Sequence, residues 1–184
     1  MRNIFGFLFI VLFMVLSYST GFAFYEVGMS GSYRKTYQNK DNFSTYTSAT
    51  GSVSYYFWEY SAIELSYTRA QTDEVRIDYT SRGFIEFYGG DLIITFADRK
   101  ADFQPYVKVG VSYQVKEVQY KQVNQDVVVL PRVEGWAPSG GFGLKILLGK
   151  NFAIKTGLDV WSSPLSESDI TYDYAGRVGI SMLF

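Results

Sequence analysis

The chain contains no histidine and no cysteine among its 184 residues. Without imidazole, the Ser/His/Asp hydrolase arrangement and the His-dependent lipid-modifying and protease sites cannot be assembled in their usual form. Without thiols there is no disulfide, no thiol nucleophile and no zinc–thiolate cluster, and no cysteine follows the apolar start to carry a lipid. Charge of one sign is not in excess either. Seventeen Lys and Arg against 18 Asp and Glu leave a formal net charge of -1, so no polyanion is attracted and nucleic-acid binding is not expected. Long hydrophobic runs are missing after the first 23 residues: no later segment approaches the ~20 apolar residues of a membrane-spanning helix. Phosphate-loop, dinucleotide and calcium-loop motifs are absent, and Asp41, Asp73, Glu74 and Asp78 lack ligand spacing. No cofactor and no metal is expected.

What is present begins with the N-terminus. Met1-Arg2-Asn3 is a short basic start, Ile4 to Leu16 is an uncharged apolar run, and Gly21-Phe22-Ala23 puts small residues where a signal peptidase reads. Residues 1–23 are therefore expected to be a secretory signal peptide cut after Ala23, and residues 24–184 one modest domain. An uncleaved membrane anchor is the alternative, because the run is nearly long enough to span a bilayer. Aromatic residues make up 18% of the chain, with 16 Tyr and 15 Phe, more than a soluble core of this size uses. Rings in such excess suit the aromatic belts at the two faces of a membrane. The near-neutral mean hydropathy is compatible with a membrane barrel, where half of the strand residues face a polar interior.

The last twelve residues show the dominant periodicity. Tyr174, Val178, Ile180, Met182 and Phe184 share one face with Gly176, while Asp173, Ala175, Arg177, Gly179 and Ser181 take the other. A period of two marks a strand, apolar on one side only. Seven further stretches alternate in the same way: about Tyr25–Tyr33, Tyr46–Phe57, Ile63–Gln71, Phe84–Phe96, Pro105–Lys116, Ser139–Leu148 and Phe152–Trp161. The fifth is the most regular, with Val107, Val109, Val111, Tyr113 and Val115 opposing Lys108, Gly110, Ser112, Gln114 and Lys116. Strands two and three, four and five, and six and seven are joined by short turns. Longer polar connections lie at about Arg34–Thr45, Thr72–Gly83, Glu117–Pro138 and Ser162–Ser168. The pattern predicts an all-β fold: an eight-stranded antiparallel up-and-down transmembrane barrel with short turns on one rim, long loops on the other, and both termini on the short-turn side. Arg69 and Glu86 break the apolar parity near the long-loop end, where they would reach headgroups or mark a β-bulge. Arg132 and Glu134 are placed in a loop.

The inward faces carry Glu26, Glu64, Asp91, Asp159 and Asp173 with Lys108, Lys116, Lys145, Lys155 and Arg177, five acids and five bases. An eight-stranded barrel has an interior just wide enough for side chains to fill it, and an unpaired buried charge is costly. A closed, paired polar core is therefore the leading expectation, and a narrow conducting path lined by the same residues the alternative. Gly28, Gly110, Gly141, Gly143, Gly157 and Gly179 would make room where long side chains cross. Formal Asp–Asp or Ser–Asp sites, at Asp98 with Asp102 or at Ser162 and Ser163 with Asp159, read as turn and rim chemistry. No enzymatic activity is expected. Tyr120, Val127, Val128, Val129, Leu130 and Trp136 make the third long connection unusually apolar. That segment is expected either to prolong its strands as a β-ribbon or to present an edge to another surface or a hydrophobic solute.

The signal run Ile4–Ala23, the strand end Gly51-Ser52-Val53-Ser54-Tyr55-Tyr56-Phe57 and the strand Pro105-Tyr106-Val107-Lys108-Val109-Gly110-Val111 carry a resemblance. So do Gly141-Phe142-Gly143-Leu144-Lys145 ahead of the turn Gly149-Lys150-Asn151-Phe152, and the terminal Phe184. The mature chain resembles the small eight-stranded outer-membrane β-barrels, the OmpA/OmpX-like and OmpW-like porin superfamily. The resemblance implies the outer membrane of a Gram-negative bacterium and contact with its lipids. It also implies an assembly signal in the last strand, built on Tyr174, Val178, Ile180, Met182 and Phe184 and read by the barrel-assembly machinery. A monomer is expected, with no peptidoglycan-binding domain after the barrel. Its role is expected to be structural or surface-interacting, with outer loops that could meet a ligand; a porin-like passage for small or hydrophobic solutes is the alternative.

Overall fold

Alternating apolar and polar side chains, repeated along the chain, produce strands with two unlike faces, and such strands bury the polar face only by curling into a closed cylinder. The computed structural model describes residues 24–37, 42–77, 79–98, 100–122, 126–163 and 171–184. The proposed signal peptide lies outside the described residues, as do Asp41 and Asp78. Among the described residues the strands are β1 (Phe24–Tyr37), β2 (Phe43–Trp58), β3 (Ser61–Val75), β4 (Tyr79–Thr95), β5 (Phe103–Gln122), β6 (Val128–Val129), β7 (Val133–Leu147), β8 (Phe152–Ser163) and β9 (Thr171–Leu183). All pairings are antiparallel. The ring runs β4-β3-β2-β1-β9-β8-β7-β5 and closes through β4–β5, leaving β6 as a short addition to the upper part of β5. The fold is the eight-stranded barrel that the periodicity predicts.

The register is staggered. From Glu26 the directly opposed residues are Ser54, Glu64, Asp91, Gly110, Ser139, Trp161 and Asp173 in turn. The β9–β1 register, in which Glu26 faces Leu183, would carry Asp173 to Thr36. One circuit therefore climbs ten residues of β1, from position 26 to position 36, and the strands tilt to absorb that shift.

The strands are longer than the alternation suggests, nearly always toward the long-loop rim. β5 has 20 residues, roughly 65 Å of chain at ~3.3 Å per residue. Even tilted, such a strand projects beyond an apolar band ~25 Å tall. Much of the expected loops Arg34–Thr45, Thr72–Gly83 and Glu117–Pro138 is therefore strand, because hydrogen-bonded pairing continues after the apolar pattern has ended. Glu134, expected in a loop, belongs to β7 and faces Val115. Val128 and Val129 pair with Tyr120 and Gln119, so the apolar third connection forms a ribbon.

Outward positions expose Met29, Leu65, Val109, Phe142, Val178 and Ile180, a continuous apolar wall far larger than a soluble surface carries. Toward the long-loop end a row of opposed residues, Tyr67, Tyr88, Tyr113 and Trp136, runs across β3, β4, β5 and β7. Arg69 and Glu86 stand opposite each other one step beyond this row, without any bulge. Glu86 accepts hydrogen bonds from the hydroxyls of Tyr67 (3.1 Å) and Tyr88 (3.2 Å), which satisfies the charge that breaks the apolar parity. Phe57, Trp58, Phe96, Phe103, Phe152 and Phe184 are exposed around the short-turn end, forming the second aromatic belt.

Candidate functional site

The interior is layered. Nearest the short-turn rim, Phe24, Tyr56, Ala62 and Ile93 form a buried apolar layer, with Phe24 and Tyr56 stacked at 4.1 Å. Toward the long-loop rim, Tyr46, Ala70, Phe87 and Ala175 form a second, packed by Ile85 and Trp161. Between them lies a belt of charge. Inward residues on a staggered ladder place equal-parity side chains from distant strands at one height, which brings the belt together.

Glu26 is the centre of its lower half. Its carboxylate receives Lys145 at 3.2 Å, Lys155 at 2.9 Å and the Tyr56 hydroxyl at 2.8 Å. Lys145 also donates to the Tyr56 oxygen at 2.9 Å. Lys155 bridges to Glu64 at 3.2 Å, and Ser54 donates to the same carboxylate. Lys108 is the centre of the upper half, with Asp159 at 2.9 Å, Asp91 at 3.6 Å and Glu64 at 3.8 Å. Asp91 also accepts from Ser139, and Arg177 pairs with Asp159. Glu26, Glu64, Asp91 and Lys145 have side chains at most 5% exposed. Four acids and four bases thus make one continuous neutral network.

Two members of the expected set do not join it. Lys116 and Asp173 lie above the upper aromatic layer, lining an open vestibule, and neither has an ion pair with a described residue. Mutual pairing of all ten charges is therefore corrected to eight plus two. The stagger is the reason: inward parity fixes the side of the wall, while height depends on the position of each strand around the tilt. The aromatic layers were missed as parts of the site. Parity already turns Tyr56 inward against Tyr55 and Phe57, and Trp161 shares the parity of Asp159, but an aromatic at an inward position gives no sign of its role as a lid until the opposite wall is known.

Two members of the formal catalytic pairs, Asp98 and Asp159, are engaged by other groups. Asp98 accepts from the Lys100 amide at 3.3 Å, as a turn residue does. Asp159 is engaged by Lys108 and Arg177, while the Ser162 carbonyl accepts from Gln114. Space inside the belt is slight. A cavity of about 60 Å³ lies under the upper aromatic layer and one of about 20 Å³ lies lower, with Lys108 and Arg177 lining both. Gly143 and Gly157 admit Tyr106 between the strands: a Cβ on Gly143 would meet the ring of Tyr106 at 2.6 Å, and one on Gly157 its hydroxyl at 3.1 Å.

Neither a protein-family model nor a curated protein sequence matches the chain. Solved structures do match in shape. The N-terminal β-barrel domain of Pseudomonas aeruginosa OprF is 19% identical with a TM-score of 0.58, covering 88% of this chain and 97% of that one. Neisserial surface protein A is 13% identical with a TM-score of 0.55, covering 88% and 97%. Ail, the attachment invasion locus protein of Yersinia pestis, is 14% identical with a TM-score of 0.53, covering 90% and 100%. The chain has the fold of the small eight-stranded outer-membrane β-barrels.

Proposed function

We propose that this barrel is an integral protein of the outer membrane of a Gram-negative bacterium, with a closed polar interior and a structural or surface-interacting role without enzymatic turnover. The neutral charged belt, sealed above and below by apolar layers, is the observation that carries the closed interior. Each ion entering it would have to displace a paired charge or pass a ring stack, and the belt holds space for only a few waters. The apolar wall between two aromatic belts suits acyl chains, and the outward face of β9 offers Tyr174, Val178, Ile180, Met182 and Phe184 to the barrel-assembly machinery. The ribbon of β6, with Val127 to Leu130 exposed, supports contact with another surface.

A second reading, a narrow channel, is favoured by one observation: the two cavities lie in series on either side of Lys108 and Arg177. Planar-bilayer recording of purified protein separates the two. A closed core gives no reproducible unitary current at ordinary voltages. Discrete steps that change in size when Lys108 or Arg177 is replaced would overturn it in favour of the channel.

A further inference from the structure

Above the Tyr46–Trp161 layer the lumen widens into a vestibule of about 330 Å³. That is the low end of the ~300–1,000 Å³ range of small-molecule sites. Among the described residues four charged side chains line it: Arg34, Lys116, Glu74 and Asp173. Arg34 is already engaged, donating to the Tyr174 carbonyl at 2.7 Å and standing over the Tyr46 and Tyr174 rings. Glu74 is held by Arg76 at 2.6 Å. Lys116 and Asp173 face the same space, and no described residue pairs with either.

Their strands explain why they do not meet. Lys116 is on β5 and Asp173 on β9, with β7 and β8 between them in the ring. The ladder sets Asp173 level with Gly110, six residues before Lys116, so three strand spacings of ~4.8 Å and six residues of ~3.3 Å put the two backbones roughly 24 Å apart along the wall. A lysine reaching inward leaves a gap of several ångströms to the carboxylate. Asp173 is directly opposed to Trp161, so the carboxylate stands beside an aromatic floor. A ring face next to a carboxylate favours an alkylammonium group. The Lys116 ammonium on the other side favours an anion. A singly charged solute gains at one end and is repelled at the other, because the described lining carries two charges of each sign.

We propose that the vestibule binds small zwitterionic solutes, with an ammonium group on Trp161 beside Asp173 and a carboxylate on Lys116. Such binding does not require the lumen to conduct. The test uses the full refolded chain in a non-ionic polyoxyethylene detergent. Trp58→Phe and Trp136→Phe remove two of the three tryptophans and leave Trp161 as the reporter. Titration with 4-(trimethylammonio)butyrate is expected to change its emission saturably. Tetramethylammonium alone and butyrate alone should bind about ten-fold more weakly, as should the zwitterion to Asp173→Asn or Lys116→Gln, since each loses one charged contact. No saturable change, glucose binding as well as the zwitterion, or either charge variant binding it like the parent would overturn the proposal.

Discussion

Lys108→Met removes the cation at the centre of the upper belt, and the consequence can be worked from its three partners. Asp159 keeps Arg177 and Glu64 keeps Lys155. Asp91 keeps only the Ser139 hydroxyl, at 3.0 Å. Its attraction to Lys108 at 3.6 Å amounts to ~4–5 kcal/mol at an effective dielectric of about 20. Both side chains are nearly buried, at 7% and 5% exposure, so solvent screens little of it. Breaking a buried pair from one side typically costs ~3–5 kcal/mol, and the expected loss is in that range. Removing the stranded charge as well, in Lys108→Met/Asp91→Asn, should recover at least ~2 kcal/mol, because the penalty comes mainly from an uncompensated carboxylate. Reversible urea unfolding of the barrel in lipid vesicles, followed by tryptophan emission, measures both. A single variant as stable as the parent, or a double variant no better than the single, would refute the account of the belt as a paired electrostatic core.

Other consequences follow from the packing and the wall. A Cβ on Gly110 would strike the Gly90 carbonyl and approach the Asp91 Cα at 2.7 Å, while one on Gly51 meets nothing within 4 Å. Gly110→Ala should therefore lose ~1–3 kcal/mol of unfolding free energy in the same assay, and Gly51→Ala none. Val109 is 60% exposed on the outer wall, so Val109→Arg should impair folding into vesicles by ~2–4 kcal/mol, whereas Ser112→Arg should disturb the packed lumen and spare the lipid belt. Equal tolerance of Val109→Arg and a loop substitution would reverse the facing assignment. Phe184 is exposed, while its amide closes the barrel by donating to the Tyr25 carbonyl at 2.9 Å. Deleting it should slow insertion measured by heat-modifiable migration in pulse-labelled cells, and unchanged kinetics would remove the terminal strand from the assembly signal.

The barrel class, the strand count and the facing of nearly every side chain were legible in the chain, because strand geometry turns a period of two directly into two surfaces. Val107 to Val111 and Met182 to Phe184 announce lipid-facing wall with no tertiary information. The upper strand boundaries were less legible. Beyond the lipid boundary both faces meet water, the alternation weakens, and pairing such as Arg82 with Gln119 follows no apolar pattern. Arg69 and Glu86 looked like exceptions until the row of tyrosines beside them was seen.

Sequence by itself therefore determined which side chains turn inward: ten charges, a set of small residues and a few rings. Tertiary structure alone decided which of them meet. Glu26 finds Lys145, 119 positions away, while Asp173, in ladder register with it around most of the ring, ends at the opposite mouth. The ten-residue stagger is the reason. Height inside a tilted barrel is set by closure of the whole ring, a property that no single strand encodes.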